Sequence, residues 1–258
     1  NMKIKFYKYQ GTGNDFVMID NRDKHCSLTN NQVAQLCDRR FGIGGDGLIL
    51  LQLLDGYDFE MVYYNSDGNE STMCGNGGRC IVQFAHDLNI IQGETNFKAI
   101  DGPHRAYVLE GEVKLQMIDV HEFKQDSDHY EINTGSPHYI LIEKDIDAID
   151  IVPRSRAIRY SAAFPKGINV NYVEQINTDS IKVRTYERGV EDETYSCGTG
   201  VCAAAMAFAL HSNSPSNQFH IQTIGGKLEV SFTKTNTGFS DVFLKGKAER
   251  VFEGEVEV

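Results

Sequence analysis

The sequence predicts an α+β fold built from two related halves, and three observations carry that reading. Met73-Cys74-Gly75-Asn76-Gly77 and Ser196-Cys197-Gly198-Thr199-Gly200 each set a cysteine and two glycines ahead of a helical stretch, 123 positions apart. The same shift lays Phe16-Val17-Met18-Ile19-Asp20 on Tyr139-Ile140-Leu141-Ile142-Glu143, and Phe41, Gly44, Gln52 and Tyr63 on Phe164, Gly167, Gln175 and Tyr186. A constant offset across separate segments marks an internal repeat. Short strand-like runs also outnumber helical ones, which is the pattern of a sheet with a few helices.

Taken in order, Lys3–Tyr9 alternates and reads as a strand, as does Phe16–Asp20. Thr29-Asn30-Asn31 offers a cap for a short helix reaching Arg39. Leu48–Leu54 and Phe59–Tyr64 read as strands, followed by a helix over Gly77–Leu88 and strands at Phe97–Ile100, Arg105–Leu109 and Val113–Ile118. The second half repeats the scheme. Tyr139–Ile142, a helical Ser155–Ser161, Val170–Val173 and Lys182–Tyr186 lead to a helix over Gly200–Leu210, then to strands at His220–Thr223, Lys227–Phe232 and Ser240–Lys245. The run Cys202–Leu210 is apolar nearly all round, so it must be buried, as the axis of a sheet wrapped about it. Glu249–Val258 has no counterpart in the half it follows and is expected to return to the first half. The halves are therefore 1–120, completed by 247–258, and 121–246, with His121–Asp128 as the crossing.

The 258 residues are enough for two ordinary cores, and 41% apolar with 24% charged residues is usual for a globular chain. A net charge of −11 without a basic stripe excludes a nucleic-acid binder. No apolar run approaches the roughly 20 residues that span a bilayer, and Met2–Tyr7 lacks a signal-peptide core, so a cytoplasmic protein away from membranes is expected.

Six cysteines raise the question of disulfides or zinc. Disulfide scaffolds are short secreted chains, and neither Cys74/Cys80 nor Cys197/Cys202 has Cys-x-x-Cys spacing, so no metal is expected. Cys26, Cys37, Cys80 and Cys202 read as small buried apolar residues. Gly42-Ile43-Gly44-Gly45-Asp46-Gly47 satisfies G-x-G-x-x-G, but it follows a helix and precedes a strand, the reverse of a dinucleotide site, and reads as a tight turn. Either cysteine motif alone reads as a packed cysteine. As a pair they point to catalysis, because unpaired N–H groups and the dipole at a helix N-terminus favour a thiolate. Two such thiols facing one cavity form an acid/base pair that moves a proton from one face of a carbon to the other, as in a cofactor-independent racemase or epimerase. The pair would titrate as a coupled unit.

Gly11-Thr12-Gly13-Asn14-Asp15-Phe16, Tyr64-Asn65-Ser66-Asp67-Gly68, Met73–Cys80, Gly135-Ser136-Pro137-His138, Tyr186-Glu187-Arg188-Gly189 and Ser196–Gly200 together resemble the diaminopimelate epimerases, in family order over most of the chain. The resemblance implies two pseudo-symmetric domains, each a β-barrel-like sheet around a central helix with the site between them. It further implies a homodimer that interconverts LL- and meso-diaminopimelate without a cofactor, in lysine and cell-wall precursor synthesis. By motif, Cys74 and Cys197 resemble the two acid/base residues. Gly75, Asn76, Gly198 and Thr199 would hold the reacting end, and Asn14, Asn65, Asn169 and Arg188 the far end. His138 and Glu187 resemble groups that position the thiols or bind the reacting ammonium.

Outside that pattern, His138 reads as a loop histidine, Glu187–Arg188 as an exposed pair worth little, and Asn65 and Asn169 as turn caps. Two departures stand near the expected distal contacts: Ser136, where the family often has Asn, and Gly47, where some members have Gln. Proline and hydroxyproline racemase-like proteins share the two-thiol architecture but bind a compact substrate, for which a clamp of Arg188, Asn65 and Asn169 is unnecessary. The phenazine-synthesis relatives lack the cysteine pair. A non-catalytic amino-acid-binding protein on the same frame is the remaining alternative.

Overall fold

The computed structural model describes residues 2–258. Along the chain run β1 (Lys3–Gly11), β2 (Asn14–Asp20), α1 (Asn30–Cys37), β3 (Gly47–Gln52), β4 (Phe59–Asn65), β5 (Glu70–Ser71), α2 (Gly75–Asp87), β6 (Glu94–Ala99), β7 (Gly102–Leu109) and β8 (Glu112–Gln116). There follow β9 (Phe123–Gln125), β10 (Tyr130–Asn133), β11 (Pro137–Ile142), α3 (Ile151–Arg159), β12 (Asn169–Gln175), β13 (Ser180–Glu187) and β14 (Asp192–Thr194). The last elements are α4 (Gly198–Ser212), β15 (Gln218–Thr223), β16 (Gly226–Lys234), β17 (Phe239–Lys247) and β18 (Glu249–Glu257). Two compact units result, one formed by the chain up to Leu115 with Gly246–Val258, the other by Gln116–Lys245.

In the first unit the hydrogen-bonded order is β18-β1-β2-β3-β4-β6-β7-β8, with β2/β3 and β4/β6 parallel and the other pairs antiparallel. The sheet wraps α2, which packs on β1, β2, β3, β7 and β18. In β1, Ile4 and Phe6 point to the face shared with Val33 and Leu36 of α1, while Tyr7 and Tyr9 point to α2, their rings 5.1 and 5.5 Å from Phe84.

The second unit repeats the order as β9-β10-β11-β12-β13-β15-β16, with β11/β12 and β13/β15 parallel. It wraps α4, which packs on β10, β11, β12, β13, β15 and β16. Val201 to Ala209 of α4 are almost wholly inaccessible, as an all-apolar helix requires, and its five alanines let the strands come close.

Strand register tests the repeat directly. Phe16 pairs with Gly47 across β2/β3, and Tyr139 with Val170 across β11/β12, the same pairing shifted by 123 positions. Gly44 and Gly167, matched by that shift, both have positive φ, 87° and 74°. The shift then fails for one strand. Gly47 faces Asn65, but Val170 faces Tyr186, so Asn65 and Tyr186 correspond, 121 positions apart, and Tyr63 corresponds to Arg184. The match of Tyr63 with Tyr186 is thereby overturned. The β3–β4 connection is two residues longer than the β12–β13 connection, and the path from Asn65 to Cys74 is two shorter than that from Tyr186 to Cys197. The two changes cancel.

Other differences from expectation are local. Both long helices start two residues early, at Gly75 and Gly198, because the cysteines stand at their N-caps. Helix α3 starts at Ile151, ahead of the sequence estimate, because Pro153 falls in the first turn, where a missing N–H costs nothing. His121–Asp128 is not bare linker: it carries β9, paired to β10.

Candidate active site

The first cysteine motif is placed by the start of α2. Cys74 is the N-cap residue, in extended conformation (φ −108°, ψ 155°), and its Sγ accepts the Gly77 N–H at 3.3 Å. Behind the helix start lies a chain of hydrogen bonds that all run in one sense. Fully buried Arg79 donates to Thr12 Oγ1 (3.0 Å), Thr12 to Asn76 Oδ1 (3.0 Å), Asn76 Nδ2 to Asn14 Oδ1, and Asn14 Nδ2 to Asp46 Oδ2 (3.0 Å). Arg39 bridges Asp46 (3.0 Å) and Asp15 (2.6 Å), and Lys8 reaches Asp15 at 2.8 Å. Burial works against the Asp15 carboxylate, but hydrogen bonds from Arg39 and Lys8 and their charges outweigh it and hold its carboxyl well below the ordinary range.

Asn14, Asn76, Gly75 and Cys74 thus form one group. Asn65 ends β4 opposite Gly47, and its main chain closes the turn to Gly68 and Asn69. A Cβ at position 47 would lie 2.6 Å from both Tyr63 Cε2 and the Tyr64 carbonyl. The glycine there is a packing requirement of this chain, so Gly47 supplies backbone and no side-chain contact.

The second motif differs in detail. Cys197 is the N-cap residue of α4 (φ −129°, ψ 115°) without a side-chain cap bond, and its Sγ faces Thr199 Oγ1 at 3.4 Å. Thr199 Oγ1 is 2.8 Å from His138 Nε2, and the Thr199 carbonyl accepts from buried Thr134 at 2.7 Å. His138 is no loop residue: it sits in β11 beside Asn169 of β12, with no exposed surface. Burial, aided by the Arg188 charge, pushes its imidazole down to about 3. Its Nδ1 accepts from Asn171 Nδ2 at 2.8 Å, and Asn171 Oδ1 accepts from Thr185 at 2.9 Å.

Asn169 is a connector and no turn cap. Its Nδ2 donates to Ser136 Oγ (2.8 Å) and the Pro137 carbonyl (2.9 Å), while its Oδ1 accepts the Arg188 N–H (2.8 Å). The Arg188 guanidinium rests on the Lys166 carbonyl at 3.1 Å. Glu187 ends β13, half-buried, and the turn after it is held by Glu191, which accepts from Gly189 N–H, Tyr186, Tyr160 and Arg159 at 2.7 to 3.0 Å. These donors outweigh desolvation and set the Glu191 carboxyl at about 2.

Sequence reasoning missed Asn171, Thr185, Thr134, Glu191 and the Arg79–Thr12 start of the first chain. The available signal was polar residues in otherwise apolar strands, such as Asn169 and Asn171 in Asn169-Val170-Asn171-Tyr172-Val173. The other cysteines behave as packing residues, with the Cys37 thiol pushed up by burial to about 11 and those of Cys26 and Cys80 also raised.

Among the described residues one cluster has metal-ligating geometry, Asp126, His129 and Glu131 on the β9–β10 hairpin. Lys124 already bridges both carboxylates, at 3.0 and 3.1 Å, so the cluster is balanced by its own ammonium. A cavity of about 730 Å³ in the first unit is lined by Gln83 and Asp87, at the opposite end of α2 from Cys74 and about 20 Å away along the helix. No helix among the described residues is long and apolar enough to cross a membrane.

Comparison with known proteins bears on the whole chain. The diaminopimelate epimerase family model matches residues 6–122 and 130–251. The curated diaminopimelate epimerase of Flavobacterium psychrophilum is 52% identical over 97% of this chain and 99% of its own length, and that of Chlorobaculum tepidum is 40% identical over 95% and 98%. Among solved structures, a phenazine biosynthesis protein of the PhzF family from Bacillus anthracis superposes with a TM-score of 0.81 at 14% identity, covering all of both chains. A hydroxyproline epimerase from Agrobacterium vitis gives 0.69 at 12% identity, covering 98% of this chain and 92% of its own. At such identities these two share the fold alone. On the family match and the full-length similarity, the chain belongs to the diaminopimelate epimerase family.

Proposed function

We propose that this protein is a diaminopimelate epimerase, interconverting the LL and meso forms by proton transfer between Cys74 and Cys197. The observation that carries the activity is the 52% identity to a diaminopimelate epimerase over nearly the full length of both chains. The mechanism is supported by the two cysteines at the N-caps of the two buried helices.

Abstracting the hydrogen alpha to a carboxylate leaves a strongly basic carbanion, which oriented donors and exclusion of water must stabilise. Helix N-termini supply such donors: the main-chain N–H groups at Gly75, Asn76, Gly198 and Thr199 suit the reacting carboxylate. One sulfur, as thiolate, takes the proton from Cα. The other, as thiol, delivers its own proton to the opposite face, so the carbon inverts and the enzyme is left with the two roles exchanged. No proton is gained or lost overall, and neither pyridoxal phosphate nor a metal enters the cycle. Arg188, steered by Asn169 and the Glu191-held turn, is suited to the carboxylate of the far amino-acid end. Glu187 is suited to an ammonium. The same reading makes the protein a cytoplasmic homodimer serving lysine and peptidoglycan precursor synthesis.

The test is incubation with LL-diaminopimelate in D₂O, following meso product and deuterium at Cα, beside Cys74→Ala and Cys197→Ala. Deuterated meso product, lost in both variants, is expected. Exchange with proline but not diaminopimelate would move the substrate to the compact racemase class. No exchange with any amino acid would leave a binding protein.

A further inference from the structure

Thr185 of β13, Asn171 of β12, His138 of β11 and Thr199 at the start of α4 form a line of hydrogen bonds that ends at the sulfur of Cys197. We propose that Asn171, anchored by Thr185, is a positioning residue that holds His138 in the Nε2–H tautomer, so that the Thr199 hydroxyl hydrogen is directed at Cys197 Sγ. The proposal rests on the two-thiol reading for its catalytic meaning but not for its structural content.

The direction of the line follows from what each atom can do. An amide NH₂ only donates, so Nδ1 of His138, 2.8 Å from Asn171 Nδ2, must present its lone pair. The ring hydrogen is then on Nε2 and points at Thr199 Oγ1, 2.8 Å away. That oxygen, having accepted from the ring, keeps its own hydrogen for Cys197 Sγ at 3.4 Å. At the far end Asn171 Oδ1 accepts the Thr185 hydroxyl at 2.9 Å, so both ends of the amide are engaged. Asn171 and His138 have no exposed surface, so water does not reorder the line.

The second glycine of the cysteine motif belongs to the same device. A Cβ at position 200 would lie 2.6 Å from Asn171 Oδ1 and 3.2 Å from His138 Cε1. Gly200 is therefore what allows the amide and the ring to lie under the helix start. The repeat shift puts Asp15, Leu48 and Asn76 where His138, Asn171 and Thr199 stand, so these residue types are not repeated in the first unit.

Burial and the nearby Arg188 charge keep the ring neutral through ordinary pH, consistent with its value of about 3. His138 then serves as a donor that favours the Cys197 thiolate through Thr199, and not as the base that strips the thiol. With no carboxylate at Asn171, nothing holds a second ring proton.

Long-range ¹H–¹⁵N correlation of histidine-labelled protein reads the tautomer without substrate. A bare Nδ1 and a protonated Nε2 at His138, unchanged between pH 8 and 5, are expected. A ring protonated on Nδ1, or charged at neutral pH, overturns the proposal. Asn171→Asp replaces a donor by an acceptor and is expected to move the ring proton to Nδ1, so that Nε2 takes the Thr199 hydroxyl hydrogen away from the sulfur. It should lower kcat about tenfold or more with KM little changed, and move the rising limb of the pH profile to higher pH. The milder Thr185→Val, in case the aspartate fails to fold, should shift kcat and the profile in the same direction by less. Either folded variant with wild-type tautomer and profile overturns the assignment. An Nε2–H ring in a protein that never exchanges deuterium would support the tautomer while sinking the epimerase reading, so the two failures are distinct.

Discussion

The two cysteine-led helix starts share a backbone and differ in wiring. Both cysteines are extended N-cap residues of a helix wrapped in sheet, followed by Gly-x-Gly. In the first unit the sulfur takes a main-chain N–H of its own helix, and a side-chain line runs from Arg79 through Asn76 to the carboxylate of Asp46. In the second unit the line ends on the sulfur, and the residue matching Asn76 is the hydroxyl-bearing Thr199. On the proposed two-thiol mechanism, the transfer needs two like groups in opposite protonation states at one pH. Duplication supplies the likeness, and a few buried polar side chains supply the difference.

The bluntest way to break the comparison is to remove each sulfur. Cys74→Ala and Cys197→Ala should each lower kcat/KM for diaminopimelate about a thousandfold or more, the loss of an acid/base group. If one variant keeps substantial turnover, the sulfurs are not partners in one transfer. Next comes the wiring. Thr199→Val should cut kcat about tenfold and move the rising limb of the pH profile upward, since a donor to sulfur is lost, whereas Thr12→Val should cost about 1 kcal/mol of stability in urea without moving the profile. Equal effects of the two on the profile would erase the asymmetry.

A smaller effect is expected from acid. Because the Asp15 carboxyl is depressed in the folded protein, its contribution is complete above the ordinary carboxylate value of about 3.9 and is lost as pH falls below it. Asp15→Asn should be less stable than wild type at pH 7, and the gap should narrow toward pH 3. A gap that stays constant in urea titrations would remove Lys8 and Arg39 as the cause. Smallest of all, Ser136→Asn should change KM by less than about threefold, because Asn169 already spans from Ser136 to Arg188. A larger change would make position 136 a direct contact.

The cysteine motifs and His138 were legible because each stands in a recognisable string of residues, and Asn169 only as what the family resemblance implies. Asn171 and Thr185 were not, since a lone polar residue in a strand reads as solvent-facing until the helix packed over it is known. Gly47 read as a lost contact for a similar reason: the ring that forbids a side chain there, Tyr63, lies on the neighbouring strand. The repeat itself was legible from its shift. The strand that breaks it was hidden because two length changes of two residues cancel before the second cysteine.

Strand β18 pairs along the whole of β1, from Lys3 with Glu257 to Gln10 with Glu249, and helps to enclose α2. That pairing imposes an order on synthesis. The first unit cannot finish its sheet until Gly246–Val258 has been made, and all of Gln116–Lys245 is made before then. At roughly 5–20 residues per second, the first unit waits on the order of ten seconds with Ile4 and Phe6 on an unpaired edge, whereas the second unit is made in one uninterrupted run. The half that begins first is completed last, which makes its open edge the point where a nascent chain most needs a chaperone.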